Sequence, residues 1–336
     1  MSPELPGPAG PAGVPGSPAE VRGGLERSGY LADDAIATAV YLADRLAKPV
    51  LVEGPAGTGK TELAKCVAAM AGLRLVRLQC YEGLEESKVL YEWDYRKQLL
   101  AIQAGREGLL AGTSRYAGAG TAGVAGTGAA GGAGTGAAGG ASRGLRGSWA
   151  EVEHDLFSEE FLLARPLLSA IRSSSRVVLL VDEVDRIELE TEALLLEVLS
   201  DYQVSIPELG TVLAASIPLV FLTSNDTREL SEALKRRCLY LHLDYPTRER
   251  ELAIVRARLP GIDVELAEEV VRVVESLRAL ELEKRPSISE TLDWARALVL
   301  LGVVRLDQAT VLGTLNLVLK HRGDLELATR VLGGHA

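Results

Sequence analysis

The sequence is poor in cysteine, poor in aromatic residues and short of positive charge. Its three cysteines, Cys66, Cys80 and Cys238, are widely separated and odd in number, which argues against a disulfide framework and points to a reducing compartment. Cys66 falls in an apolar helical stretch, where a thiol acts as a small buried hydrophobe. Aromatics supply only 4% of the residues against 47% for hydrophobics as a whole, so any core must be built mostly from Leu, Val and Ala. A net charge of −10 argues against a chain that coats nucleic acid, which needs clustered Lys and Arg, although a local basic patch stays compatible with it. No apolar run reaches the roughly 20 residues that cross a bilayer, and the N-terminus has neither a basic start nor an apolar segment. The expectation is a soluble, cytoplasmic protein with no membrane insertion. At 336 residues the chain is long enough for two domains.

What the sequence does have is concentrated in residues 48–71, KPVLVEGPAGTGKTELAKCVAAMA. A short apolar strand, residues 49–52, leads into Gly54, Pro55, Ala56, Gly57, Thr58, Gly59, Lys60 and Thr61, which match the G-x-x-x-x-G-K-[ST] phosphate loop without a mismatch. The glycines let successive backbone N–H groups turn inward toward phosphate oxygens, and the following helix aims its positive end at the same anion. In such a loop Lys60 reaches the β- and γ-phosphates and the Thr61 hydroxyl holds Mg²⁺. The strand before and the helix after separate this motif from an ordinary glycine-rich turn.

Residues 1–24, rich in Pro, Gly and Ala, read as a disordered leader, with order beginning near Leu25. Asp33 and Asp34 can cap a helix bearing Ile36, Val40, Ala43 and Ala47 at helical spacing. Residues 73–78, LRLVRL, alternate like a strand, and the period-two placing of Tyr91, Trp93 and Tyr95 hints at a hairpin before a helical residues 97–103. Those aromatics read either as a small satellite core or as a loop that touches a client protein. Residues 117–141 carry only Gly, Ala, Thr and one Val, with GTGAAGGA twice in tandem, and read as part of a flexible insertion at about 111–148.

Residues 159–171 are expected to form a helix. The apolar run RVVLLVDE then suits a parallel strand buried on both faces, whose C-terminal end is where ligands bind in an open α/β sheet. Asp182 would bind Mg²⁺ through water and Glu183 would polarise an attacking water. A helix over residues 190–200 and a hairpin over residues 204–213 follow. A second buried strand, LVFLTSN, ends at Asn225, which is placed to hold the attacking water or sense the γ-phosphate, or else serves as a turn residue or cap. ALKRRC ends a helix in three cations; these read as a solvated helix terminus, or as arginines reaching a neighbouring subunit's nucleotide. From Thr247 the pattern is wholly helical, and the capping box Ser287–Glu290 opens a helix with Ile288, Leu292, Ala295 and Val299 on one face.

In this order the motifs resemble the AAA+ ATPases: phosphate loop, VVLLVDE strand, TSN strand end, ALKRRC helix end and helical lid. EVLSDYQVSIPELGTV, LYEWDY, LYLHLDYP and SISETLDWARAL are similar to the MoxR branch, in particular its CoxD-like members associated with carbon monoxide dehydrogenase maturation. The resemblance implies an α/β core over residues 25–246, a parallel sheet flanked by helices, with a small all-α lid over residues 247–336. It implies ATP and Mg²⁺ as ligands, with Lys60 and Thr61 in the Walker A roles, Asp182 and Glu183 in Walker B, and Asn225 as sensor 1. Arg237 matches the arginine finger, with Arg236 beside it. The sensor 2 position falls on Ser289, with Arg285 and Arg296 as nearby substitutes. Partners implied are further copies of the chain in a ring, commonly a hexamer, a von Willebrand factor A domain protein, and a client metalloenzyme complex such as a molybdenum hydroxylase. Two rival readings share the phosphate loop: a nucleic-acid motor or loader, which needs a basic channel, and a small-molecule kinase, which needs fewer of these parts.

Overall fold

The computed structural model describes residues 13–103 and 156–334. The Gly/Ala tract and the insertion read at 111–148 lie outside the described residues.

Five strands form one parallel sheet, β1 (Val50–Glu53), β2 (Arg74–Gln79), β5 (Val177–Asp182), β8 (Leu219–Ser224) and β9 (Leu239–His242), in the order β2-β5-β8-β1-β9. β5 and β8 are buried at every position. The pleat divides their side chains between two cores, with Leu179, Val181 and Leu222 on one face and Val178, Leu180 and Phe221 on the other. Each such side chain contributes roughly 1.5–3 kcal/mol by leaving water. This explains why the two runs read as unbroken apolar stretches rather than alternating ones.

One face is covered by α1 (Pro18–Arg27), α2 (Asp34–Leu46) and α3 (Lys60–Ala71), which follow the element order. Residues 1–24 are expected to be disordered; 1–12 lie outside the described residues, and over the rest the expectation fails. Ser17 caps α1 through its side chain, Pro18 sits at the first helical positions where a missing N–H does no harm, and Val21 and Leu25 are fully buried. α2 starts at the expected cap, since Asp33 accepts from the Ile36 N–H at 2.8 Å, and Ala47 ends it in the left-handed region.

The other face is covered by α5 (Pro166–Ile171) and α6 (Leu189–Asp201), with the short helix α4 (Glu86–Val89) preceding them in the chain. The expected helix over residues 159–171 is broken. Residues 159–161 make a single 3-10 turn, β4 (Leu162–Ala164) pairs antiparallel with β3 (Tyr91–Trp93), and the helix begins only at Pro166. A residue before proline is pushed out of the α region, so Arg165 stays extended. The aromatic hairpin is therefore completed by a distant strand. Trp93 is buried with its ring edge-on to Phe157 at 5.1 Å, whereas Tyr95 is exposed. β6 (Gln203–Ile206) and β7 (Gly210–Leu213) form the local hairpin read from the sequence.

After α7 (Glu232–Arg237) and β9 come five helices: α8 (Arg248–Arg258), α9 (Val264–Arg278), α10 (Ile288–Leu300), α11 (Gln308–Val318) and α12 (Arg322–Gly333). A third apolar cluster draws only on these helices and their links, with Trp294 at its centre, fully buried and donating to Thr314 Oγ1 at 2.9 Å. The capping box at Ser287 and Glu290 is present. Of the expected face, Ala295 is buried and Leu292 packs against this cluster, but Val299 is exposed, and Thr291, Trp294 and Leu298 complete the buried side of α10. Trp294, with the largest area to bury, sets the rotation of the helix. Among the described residues no helix is long and apolar enough to cross a membrane.

Candidate nucleotide-binding site

The phosphate loop joins β1 to α3 at the C-terminal edge of the sheet. Gly54, Gly57 and Gly59 all have positive φ, which other residues adopt only under strain. At Gly54 a β-carbon would also stand 2.0 Å from the Leu243 carbonyl oxygen. Lys60 opens α3 and is buried, and its Nζ donates to the carbonyls of Gly54 at 2.8 Å and Pro55 at 2.7 Å. The ammonium is thus held inside the loop by oxygens that a phosphate can replace. Burial pulls its pKa below the ordinary lysine value, opposed by the negative charges of Asp185, Asp182 and Glu183.

Asp182 is the last residue of β5 and is buried. Its Oδ1 accepts from the Thr61 hydroxyl at 2.8 Å and the Thr223 hydroxyl at 2.6 Å, and its Oδ2 from Arg77 Nη2 at 2.6 Å and Nε at 3.1 Å. The register between β5 and β8 pairs Val181 with Leu222, so Asp182 and Thr223 follow side by side. A hydroxyl and a carboxylate in contact, facing a phosphate loop, are the hard oxygen donors that Mg²⁺ takes alongside phosphates and water. The residues present fit that ion.

Glu183 follows in the left-handed region at φ 59°, a strained setting for a non-glycine residue that is common at functional turns. Its N–H donates to Thr223 Oγ1 at 2.9 Å, and its carboxylate pairs with Arg186 at 2.7 Å. Asn225 lies just beyond β8, and its N–H donates to Asp185 Oδ2 at 3.2 Å. The same oxygen accepts from the Thr227 N–H at 3.1 Å and hydroxyl at 2.6 Å, so buried Asp185 fixes the backbone that carries Asn225. Asp185 Oδ1 has no hydrogen-bond partner among the described residues.

A cavity of about 550 Å³ adjoins Gly57, Thr58 and Gly59. Its walls come from the Tyr30 segment, the Leu243–Thr247 link and α8 and α10, and include Asp33, Arg250, Ser289 and Arg296. Arg250 Nη1 binds Asp33 at 2.6 Å and its Nη2 the Leu31 carbonyl at 2.9 Å, clamping the wall together. Burial raises the Tyr30 phenol pKa, so it stays a neutral hydrogen-bonding group. Of the three residues considered for sensor 2, Ser289 and Arg296 line the cavity and Arg285 does not.

The structure therefore brings Lys60, Thr61 and Asp182 together, and places Glu183 and Asn225 at the ends of adjacent strands. Arg236 and Arg237 sit elsewhere, at the end of α7. Arg237 bonds Ser200 Oγ and, at 3.0 Å, the Ala233 carbonyl, while Arg236 lies 3.8 Å from Glu232. Neither arginine lines the cavity. Sequence reasoning missed Thr223, Asp185, Arg77 and the Asp33–Arg250 clamp. Thr223 and Asp185 stand two residues from named positions and were open to notice; Arg77 depends on strand register, which the sequence does not show.

A parallel sheet with a phosphate loop at its C-terminal edge and an acid at the end of a neighbouring strand defines a phosphate-loop nucleotide-binding protein. The family model described as "ATPase family associated with various cellular activities (AAA)" matches residues 50–243, and the chain belongs to that family. It is an ATPase using ATP with Mg²⁺. No curated protein matches the chain. Among similar solved structures is a mutant RuvB of Thermotoga maritima, 17% identical, with a TM-score of 0.44, covering 89% of this chain and 70% of that one. Another is described as the Thermotoga maritima RuvB Holliday junction branch migration motor, 16% identical, with a TM-score of 0.42, covering 84% and 66%.

Proposed function

We propose that this chain is a MoxR-type AAA+ ATPase that assembles into a ring, commonly a hexamer in such proteins, and uses ATP hydrolysis to remodel or mature a client complex. The client on this reading is a metal-cofactor enzyme of the molybdenum hydroxylase kind. A von Willebrand factor A domain protein acts beside the ring in the cytoplasm. Residues 25–246 form the nucleotide-binding part and residues 247–336 a lid over it.

The observation that carries the catalytic half is the meeting of Thr61 and Asp182 beside the buried Lys60. Lys60 leaves the Gly54 and Pro55 carbonyls to hold the phosphates, while Thr61 and Asp182 face the ion. Mg²⁺, when bound, neutralises charge on the phosphate oxygens. Glu183 leaves Arg186 to orient and deprotonate the attacking water, and Asn225 steadies that water. The cavity beside Gly57–Gly59 takes the nucleoside, with Arg296 at the lid side. Arg237 has no ion pair among the described residues, and on this reading it reaches the nucleotide of the adjacent protomer.

Two variants test this. Glu183→Gln is expected to retain ATP binding and lose turnover; normal turnover would end the assignment. Arg237→Ala is expected to bind ATP normally and fail to hydrolyse it until mixed with Glu183→Gln subunits, each supplying what the other lacks. Activity of an isolated monomer at full rate, or strong stimulation by DNA, would replace the remodelling reading with another.

A further inference from the structure

Asp182 is more heavily engaged than the grip on a nucleotide requires. Its Oδ1 serves Thr61 and Thr223, yet its Oδ2 is taken by a full guanidinium, Arg77 Nε at 3.1 Å and Nη2 at 2.6 Å. Arg77 belongs to the edge strand β2, whose register places Gln79 opposite Asp182, and its Nη2 also meets Gln79 Oε1. The Asp182 side chain is 3% exposed and that of Arg77 47%. One partner is fixed in the interior and the other has solvent to move into.

A buried carboxylate with no cation is strongly disfavoured, so an empty site needs a counter-charge. A divalent cation arriving at the same carboxylate meets that counter-charge at short range in a poorly screened setting, where like charges repel. We propose that Arg77 is an internal counter-ion for Asp182, held there until Mg²⁺ and ATP arrive and then displaced toward solvent, so that it sets how strongly the metal is coupled to ATP binding. This rests on Thr61 and Asp182 being the metal side of the site. Without metal, Arg77 shields the phosphates from Asp182 and favours nucleotide binding; with metal, it competes. Arg77 is a positioning residue and touches neither ATP nor the attacking water.

The test is the affinity for a fluorescent ATP analogue, measured with Mg²⁺ and with EDTA, in the wild type, Arg77→Gln and Arg77→Lys. Arg77→Gln is expected to raise the ratio of the two affinities by about tenfold or more, chiefly by weakening binding in EDTA, and Arg77→Lys to stay within about threefold of the wild type. An unchanged ratio in Arg77→Gln, or an equal rise in Arg77→Lys, overturns the inference. The unsubstituted protein gives an independent reading: phenylglyoxal should modify Arg77 faster with Mg²⁺ and a non-hydrolysable ATP analogue than without nucleotide, and equal or slower modification counts against displacement. If Mg²⁺ has no effect on the wild type and Asp182→Asn changes nothing, the metal site itself has been misplaced and the failure lies there.

Discussion

Gly57, in the middle of the phosphate loop, lies directly against Ser287, the N-cap of α10: a β-carbon on Gly57 would stand 2.2 Å from Ser287 Oγ and 2.6 Å from its Cβ. Ser287 is itself held by Glu290, whose Oε2 accepts from the Ser287 N–H at 2.8 Å. The phosphate loop and the helix that lines the adjoining cavity therefore touch with no slack. Gly57→Ala adds the clash to a left-handed φ of 75° that disfavours any side chain. ATP affinity is expected to fall about tenfold or more, equivalent to ~1.4 kcal/mol. Titration with a fluorescent analogue checks this, and wild-type affinity would show that the contact yields freely.

Thr223 joins Asp182 and Glu183 through a single hydroxyl, donating to Asp182 Oδ1 at 2.6 Å and accepting from the Glu183 N–H at 2.9 Å. Thr223→Val keeps the shape and removes both bonds. The loss should appear in kcat more than in ATP affinity, because Lys60 and the loop still hold phosphate while the Glu183 backbone loses its anchor. A fall of about ten- to a hundredfold in kcat is expected, the range for a mispositioned catalytic group. Steady-state kinetics decide it, and an equal rise in KM with kcat intact would place Thr223 in binding instead.

The division between what could and could not be read from the sequence follows contact range. The end of β5 at Asp182, the phosphate loop and the Asp33 cap depend on neighbours within a few residues and stand where their patterns put them, and β8 stops at Ser224, one residue before the expected end at Asn225. Arg77 on Asp182, Arg250 on Asp33 and Gly57 on Ser287 join residues far apart in the chain, and no local period encodes them. The same cause explains the broken helix at residues 159–171. Its apolar content is compatible with a helix, but Leu90 accepts the Arg165 N–H at 3.0 Å and Pro166 fixes the start, so a distant strand takes the first residues. Rotation of α10 was likewise decided by where Trp294 could be buried rather than by spacing alone.

Glu251 and Arg278 tie α8 to α9 through two bonds, Nη1 to Oε2 at 2.5 Å and Nη2 to Oε1 at 2.7 Å. Thr291 of α10 adds its hydroxyl to Oε1 at 2.7 Å, Arg278 Nε donates to the Pro286 carbonyl at 2.7 Å, and the guanidinium lies 5.0 Å from the Tyr245 ring centre. Both side chains are largely withdrawn from water. Removing one partner strands the other, so Glu251→Ala is expected to destabilise by about 3–5 kcal/mol. The double variant Glu251→Met with Arg278→Met should lose less than the sum of the two single changes. Urea denaturation of the wild type, Glu251→Ala, Glu251→Met, Arg278→Met and the double Met variant tests both expectations, and additive losses in the Met series would mean the pair acts as two independent packing groups.

Glu192 offers a pH signature. It is buried on α6, accepting from the Ser231 N–H at 2.8 Å and from Arg228 Nη2 at 2.9 Å, and so pins the start of α7. Burial pushes its pKa up, but the Ser231 hydrogen bonds and the Arg228 cation outweigh that and hold it below the ordinary carboxylate value. A depressed folded pKa means the unfolded chain binds the proton first as the pH falls. The stabilisation is therefore complete above the unfolded value of about 4.3 and disappears as the pH drops through the folded one. Glu192→Gln cannot take part in that linkage. Its stability should be lower than wild type at neutral pH, and the gap should narrow as the pH is lowered from about 6 toward 3. Chemical denaturation at a series of pH values measures the gap directly; curves that stay parallel across the acid range would show that the carboxylate carries no net charge-dependent stabilisation.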